Sequence, residues 1–85
     1  MSSSDHISSD QVKAARALLR LSVNELAKSS KVSASTIRRW ESEVEYNKPN
    51  KSTVDKIRSA LEANGIEFLG TADDGPGVRL HKQAR

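Results

Sequence analysis

Leu21-Ser22-Val23-Asn24-Glu25-Leu26-Ala27-Lys28-Ser29-Ser30-Lys31-Val32-Ser33-Ala34-Ser35-Thr36-Ile37-Arg38-Arg39-Trp40-Glu41 decides how this 85-residue chain is read. Ser22 followed three residues later by Glu25 is a capping box: the hydroxyl accepts from a free N–H of the first turn and the carboxylate reaches back to the cap. A helix therefore starts at Ser22, with Leu26 and Ala27 as its apolar positions, and the polar run Ser29-Ser30-Lys31 closes it near Ser30. Ser33 offers a second N-cap. Behind it Ile37 and Trp40, three apart, mark the buried stripe of another helix. Only about two residues separate the helices, and so short a link sets a sharp angle held by burial of Leu26, Val32, Ile37 and Trp40 in one corner. The result is a helix-turn-helix.

The outer face of the second helix suits an anion. Ala34, Ser35, Thr36, Arg38 and Arg39 point away from the Ile37/Trp40 stripe, and none is acidic. Small hydroxyl residues let the helix end approach a phosphate or base edge, and free N–H groups add partial positive charge. Arg39 has a planar fork that matches the O6 and N7 acceptors of guanine in a major groove. An isolated surface arginine often does no more than solvate a helix. Here the arginines sit on the second helix of such a pair, and Lys28 and Lys31 flank the same surface.

Residues 12–61 resemble the lambda-repressor-like helix-turn-helix domains of the xenobiotic-response-element (Xre) type found in bacterial and phage regulators. The matching words are Arg16, Leu21-Ser22, Glu25-Leu26-Ala27, and Val32-Ser33 with Thr36-Ile37-Arg38-Arg39-Trp40-Glu41. The resemblance implies a mainly α domain of four to five helices. It implies base reading by Ala34, Ser35, Thr36 and Arg39, and a phosphate grip at Ser22, Val23, Asn47 and Lys48. It also implies a structural ion pair between Arg16 and Glu41. Two positions depart from the family pattern. Val23 stands where glutamine is common and offers only its backbone N–H, and Lys31 stands where glycine is usual, at a turn whose positive φ is cheap only for glycine.

Composition bounds the remainder. Eighty-five residues make one small domain, which a partner chain would help to stabilise. With 35% hydrophobic residues and one each of Trp, Phe and Tyr, the interior rests on Leu, Ile, Val and Ala, and Trp40 reads as a core anchor. The net charge of +3 is compatible with nucleic acid. Its distribution says more: all charges between Lys28 and Arg39 are positive, whereas Glu41, Glu43 and Glu45 crowd the far end. A chain without cysteine forms no disulfide or thiolate metal site and suits a reducing cytoplasm, bacterial or phage-encoded by the resemblance. No apolar run is long enough for a signal peptide or a membrane span.

Residues 1–7 read as a Ser-rich disordered tail, residues 8–65 as the helix-turn-helix domain and residues 66–82 as a β extension. Ser8 with Gln11 makes a capping box that opens a helix to about residue 20, with Val12, Ala15, Leu18 and Leu19 inward. Residues 42–51 form a polar loop with room for an extra turn, and Pro49 stops any helix from running through. Ser52 with Asp55 reads as another capping box, opening a helix through about residue 63 with Val54, Ile57 and Leu61 inward. Asn64-Gly65 gives its C-cap. Residues 66–69 and 78–80 then look like short strands, separated by a turn-rich loop over 70–77. Two strands alone in water are marginal, so they either pair with the same strands of a second copy across a two-fold axis or close as a hairpin on the last helix.

No catalytic constellation emerges. His6 and His81 lack ligand partners at metal-site spacing, Asp73 and Asp74 are adjacent turn-formers, and no glycine-rich phosphate loop is present. An enzyme and a cofactor are not expected. The leading expectation is a sequence-specific regulator of double-stranded DNA, with Lys28, Lys31, Arg38, Lys48 and the backbone amides of Ser22 and Ser33 on phosphates. The rival is a protein-interaction module, such as an antitoxin, that docks a partner through its C-terminal strands.

Overall fold

Among the described residues four helices and one hairpin form, and the helices begin where the capping residues stand. The computed structural model describes residues 7–42, 48–71 and 73–81. They form α1 (Ser9–Leu19), α2 (Val23–Ser30), α3 (Ala34–Glu41), α4 (Lys51–Ala63), β1 (Ile66–Thr71) and β2 (Asp74–Leu80). The expected capping boxes at Ser8/Gln11 and Ser22/Glu25 are both closed, and the Ser33 hydroxyl accepts from the Thr36 N–H at 3.2 Å. For α4 the cap is two residues earlier than Ser52. Asn50 caps it, its Oδ1 accepting from the Thr53 N–H at 2.9 Å. Asparagine caps as well as serine does, and Asp55 instead meets Lys51 and Arg58, both at 3.3 Å.

The two tight helix exits use a left-handed residue that is not glycine. Arg20 (φ 57°) ends α1 in a Schellman turn, with its own N–H donating to the Ala17 carbonyl and that of Leu21 to the Arg16 carbonyl. Lys31 (φ 63°) ends α2, and the N–H groups of Lys31 and Val32 both donate to the Ala27 carbonyl. The turn thus keeps the left-handed geometry that glycine would make cheap, and each of these residues costs roughly 1 kcal/mol of steric strain.

The core is the expected corner of Leu26, Val32, Ile37 and Trp40, joined by Val12, Ala15, Val54, Ile57, Leu61, Ile66 and Phe68. Ile7 also belongs to it and is fully buried. Placing residue 7 in a disordered tail is therefore corrected. Ile7 precedes the Ser8 cap and Val12 is the fourth helical residue, the two positions of a hydrophobic staple. Leu18, expected inward, is 45% exposed. It stands seven residues after Gln11, on the same side of α1 by helix period, and is not among the side chains packed on the core.

The C-terminal strands close on each other within the chain. β1 and β2 are antiparallel, with Ile66 opposite Leu80, Phe68 opposite Val78 and Leu69 opposite Gly77. The hairpin is longer than expected, because Asp74, Gly75, Pro76 and Gly77 belong to β2 and are not loop. Gly70 permits this: at φ 69°, a Cβ there would fall 2.2 Å from the Gly75 carbonyl oxygen. The hairpin packs on α1 through β2 and on α4 through β1. Gln11, only 2% exposed, fastens it, since Nε2 donates to the Leu69 and Gly77 carbonyls, both at 3.0 Å. One side chain thereby bridges both strands, while its Oε1 accepts from the Ser8 N–H at 2.8 Å.

Candidate nucleic-acid interface

α3 is held from behind and left open in front. Ile37 and Trp40 anchor its inner face, and Glu41 at its end accepts from Arg16 Nε at 2.9 Å and Nη2 at 2.6 Å. Arg16 Nη1 also donates to the Leu21 carbonyl at 2.9 Å. One guanidinium thus ties α1, the turn before α2 and the end of α3 together, as expected of this pair. The hydrogen bonds to Glu41 and the attraction of its charge raise the Arg16 pKa further, against the opposing effect of burial, so the cation persists at every working pH.

On the front, Ser35, Arg38 and Arg39 are exposed, and Ala34 and Thr36 are half-buried. Residues three and four apart on a helix are neighbours, so Ser35, Thr36 and Arg39 form one edge. The Arg39 guanidinium has no hydrogen-bond or ion-pair partner among the described residues, and neither do the ammonium groups of the exposed Lys28, Lys31 and Lys48. The first turn of α3 contains no acidic residue. Its hydroxyls are linked, Ser33 Oγ lying 2.8 Å from Thr36 Oγ1 and 3.4 Å from Ser35 Oγ. The N–H groups of Ala34 and Ser35 have no intrahelical acceptor at this end and complete a donor-rich, cationic surface.

The start of α2 differs from expectation at one atom. The Ser22 N–H already donates to Glu25 Oε1 at 2.8 Å. The donors left for an anion are the N–H groups of Val23 and Asn24, the first two residues of the helix. Val23 is itself half-buried and packs against the core. Asn47 lies outside the described residues, as do His6 and any extra turn within 43–47. Asn24 was not legible as a site residue. Its Oδ1 accepts from Arg38 Nη2 at 3.4 Å, a contact that requires the angle between α2 and α3 to be known.

Elsewhere the hairpin brings His81 Nε2 to 2.7 Å from Glu67 Oε1, a solvent-exposed contact that sequence spacing did not suggest. Asp73 and Asp74 sit at the hairpin turn. Among the described residues no cluster of His, Asp and Glu could hold a metal, and no helix is long and apolar enough to cross a membrane.

A short angled helix pair, whose second member presents an outward cationic edge beside linked hydroxyls, defines a helix-turn-helix of the DNA-binding class. A family model described as Helix-turn-helix matches residues 12–68. The chain belongs to this family, the Xre, lambda-repressor-like group of DNA-binding regulatory domains. No curated protein matches the chain.

Proposed function

We propose that this protein is a sequence-specific regulator that lays α3, with residues about 34–42, into the major groove of double-stranded DNA and occupies an operator there. Arg39 reads a guanine edge, and Ala34, Ser35 and Thr36 meet neighbouring bases. Lys28, Lys31, Arg38, Lys48 and the amides of Ser33, Val23 and Asn24 hold phosphates, which set register without reading sequence. The observation that carries this reading is the outward Ser35/Thr36/Arg39 edge, with Ser35 and Arg39 exposed. It has an arginine whose guanidinium has no partner among the described residues, on a helix braced from behind by Arg16 and Glu41.

The same reading includes a homodimer built through residues 66–82, which would set two recognition helices about 34 Å apart. Two features support it. In an antiparallel ladder, bonded and non-bonded pairs alternate. The His81 N–H bond to the Gly65 carbonyl therefore assigns the inward groups to residues 65, 67 and 69 and turns those of Val78 and Leu80 outward along β2. The exposed Leu18 lies on the helix that packs beside that strand. The same open edge is what favours the second reading, an interaction module that adds a partner's strand.

Selection of bound sites from random duplex DNA tests the proposal, with gel mobility shift at two salt concentrations. A recovered palindrome and an affinity that falls steeply with salt are expected. Indifference to DNA, with a hairpin-dependent protein complex, would favour the second reading.

A further inference from the structure

Arg38 and Asn24 meet across the opening between α3 and α2, at the mouth of the surface assigned to DNA. Both residues are exposed, so burial does not hold them in place, and among the described residues Asn24 is the one partner of the Arg38 guanidinium. Arginine has donors only, so the amide oxygen of Asn24 must face Arg38. The guanidinium is thereby held beside the first turn of α2. There the Val23 and Asn24 N–H groups lack helical acceptors.

Resting on the DNA-binding reading, we infer that Asn24 is a positioning residue for Arg38. Its Oδ1 aims the guanidinium at a backbone phosphate. One guanidinium N–H is given to Asn24, which leaves four for the anion. A long flexible side chain held in one rotamer before contact loses less freedom on binding. Neither residue reads a base, so the pair sets affinity and register and leaves sequence preference to Arg39. Lysine at position 38 is not equivalent, because a point charge has no planar fork to share between an amide and a phosphate.

The test is a double-mutant cycle in duplex-binding affinity, using the full chain, one selected duplex and one random duplex, with melting temperatures recorded alongside. Asn24→Ala is expected to weaken both duplexes about fivefold, within the usual range for coupled neighbours, without lowering the melting temperature. In an Arg38→Ala background the same substitution is expected to change affinity less than about twofold. Asn24→Asp, which keeps a partner for Arg38 but sets a carboxylate against the phosphate, is expected to bind more weakly than Asn24→Ala and with an altered salt slope. Equal losses from Asn24→Ala in both backgrounds would overturn the positioning role, as would an unchanged affinity in Arg38→Ala. If the unsubstituted chain binds neither duplex, the DNA-binding reading falls and this inference with it.

Discussion

Replacing Glu41 with glutamine tests whether α3 is aimed by its far end. Glutamine keeps the length and shape of the side chain, but one of the two oxygens that accept from Arg16 becomes an NH2 group facing another donor. The pair is neither on the surface nor fully enclosed, with Arg16 and Glu41 side chains 20% and 9% exposed. Exposed pairs contribute about 0–1 kcal/mol, and breaking a buried one costs about 3–5 kcal/mol. Arg16 retains the Leu21 carbonyl and some access to water, which sets the expected loss near 2 kcal/mol. In a domain of this size each kcal/mol moves the melting temperature by about 4–8 °C, so Glu41→Gln should melt roughly 8–16 °C lower. The base-reading edge on the opposite face is untouched, so the sequences selected from random DNA should be the same. Thermal unfolding and site selection on the same preparation make the check. A melting temperature within about 2 °C of the unsubstituted protein, or a changed base preference at unchanged stability, would refute the bracing role assigned to this pair.

Four further outcomes are expected. Arg39→Ala should lose roughly 1–3 kcal/mol at one base pair and relax selectivity there, whereas Lys28→Ala should weaken all sequences alike and reduce the salt slope by about one unit; fluorescence titrations over a set of single-base variants separate the two. Lys31→Gly should stabilise the fold by about 0.5–1 kcal/mol, since glycine accepts φ 63° without steric conflict; the same change should weaken DNA binding by removing a cation, so a gain in both properties would remove Lys31 from the phosphate contacts. Gly70→Ala, whose Cβ would collide with the Gly75 carbonyl, should unravel the end of the hairpin, seen as faster amide exchange at Leu69 and Gly77 and a lower melting temperature. Asp55 has its pKa lowered, chiefly by its hydrogen bond to Arg58 and then by Lys51; its contribution is present above the unfolded carboxylate value and is lost as pH falls through the folded one. Asp55→Asn should therefore melt slightly below the unsubstituted protein at neutral pH, and the gap should close in strong acid.

Local chemistry decided most of the helical half. A serine followed by a glutamate or glutamine three residues on can satisfy two orphan amides at once, and that reciprocity depends on nothing beyond the turn itself. For this reason Ser8 and Ser22 mark the starts of α1 and α2 in the sequence as in the fold, and Ser33 marks that of α3 by the simpler half of the same chemistry, its hydroxyl accepting from the Thr36 N–H. The apolar spacing of Leu26, Ile37, Trp40, Val54, Ile57 and Leu61 likewise names buried faces, because helix period alone determines which side chains share a side. α4 shows the limit of local reading. Asn50 and Ser52 are both good caps two residues apart, and propensity does not rank them.

Tertiary structure decided what depends on contacts between distant segments. Gly75-Pro76-Gly77 has a loop composition, yet it lies in a strand because Gly70 opposite admits the Gly75 carbonyl and the proline needs no ladder partner on a hairpin edge. Gln11 reads as half of a capping box, and only the packing of the hairpin on α1 shows that its other end joins Leu69 to Gly77. Asn24 and Arg38 are fourteen residues apart, and their meeting depends on the angle between two helices, a long-range quantity set by how Leu26, Val32, Ile37 and Trp40 share one corner. Residue type and helical period thus determined which side chains face outward on α3. Packing determined where those side chains point and what braces them, because side-chain direction is settled by neighbours that sequence order does not bring together.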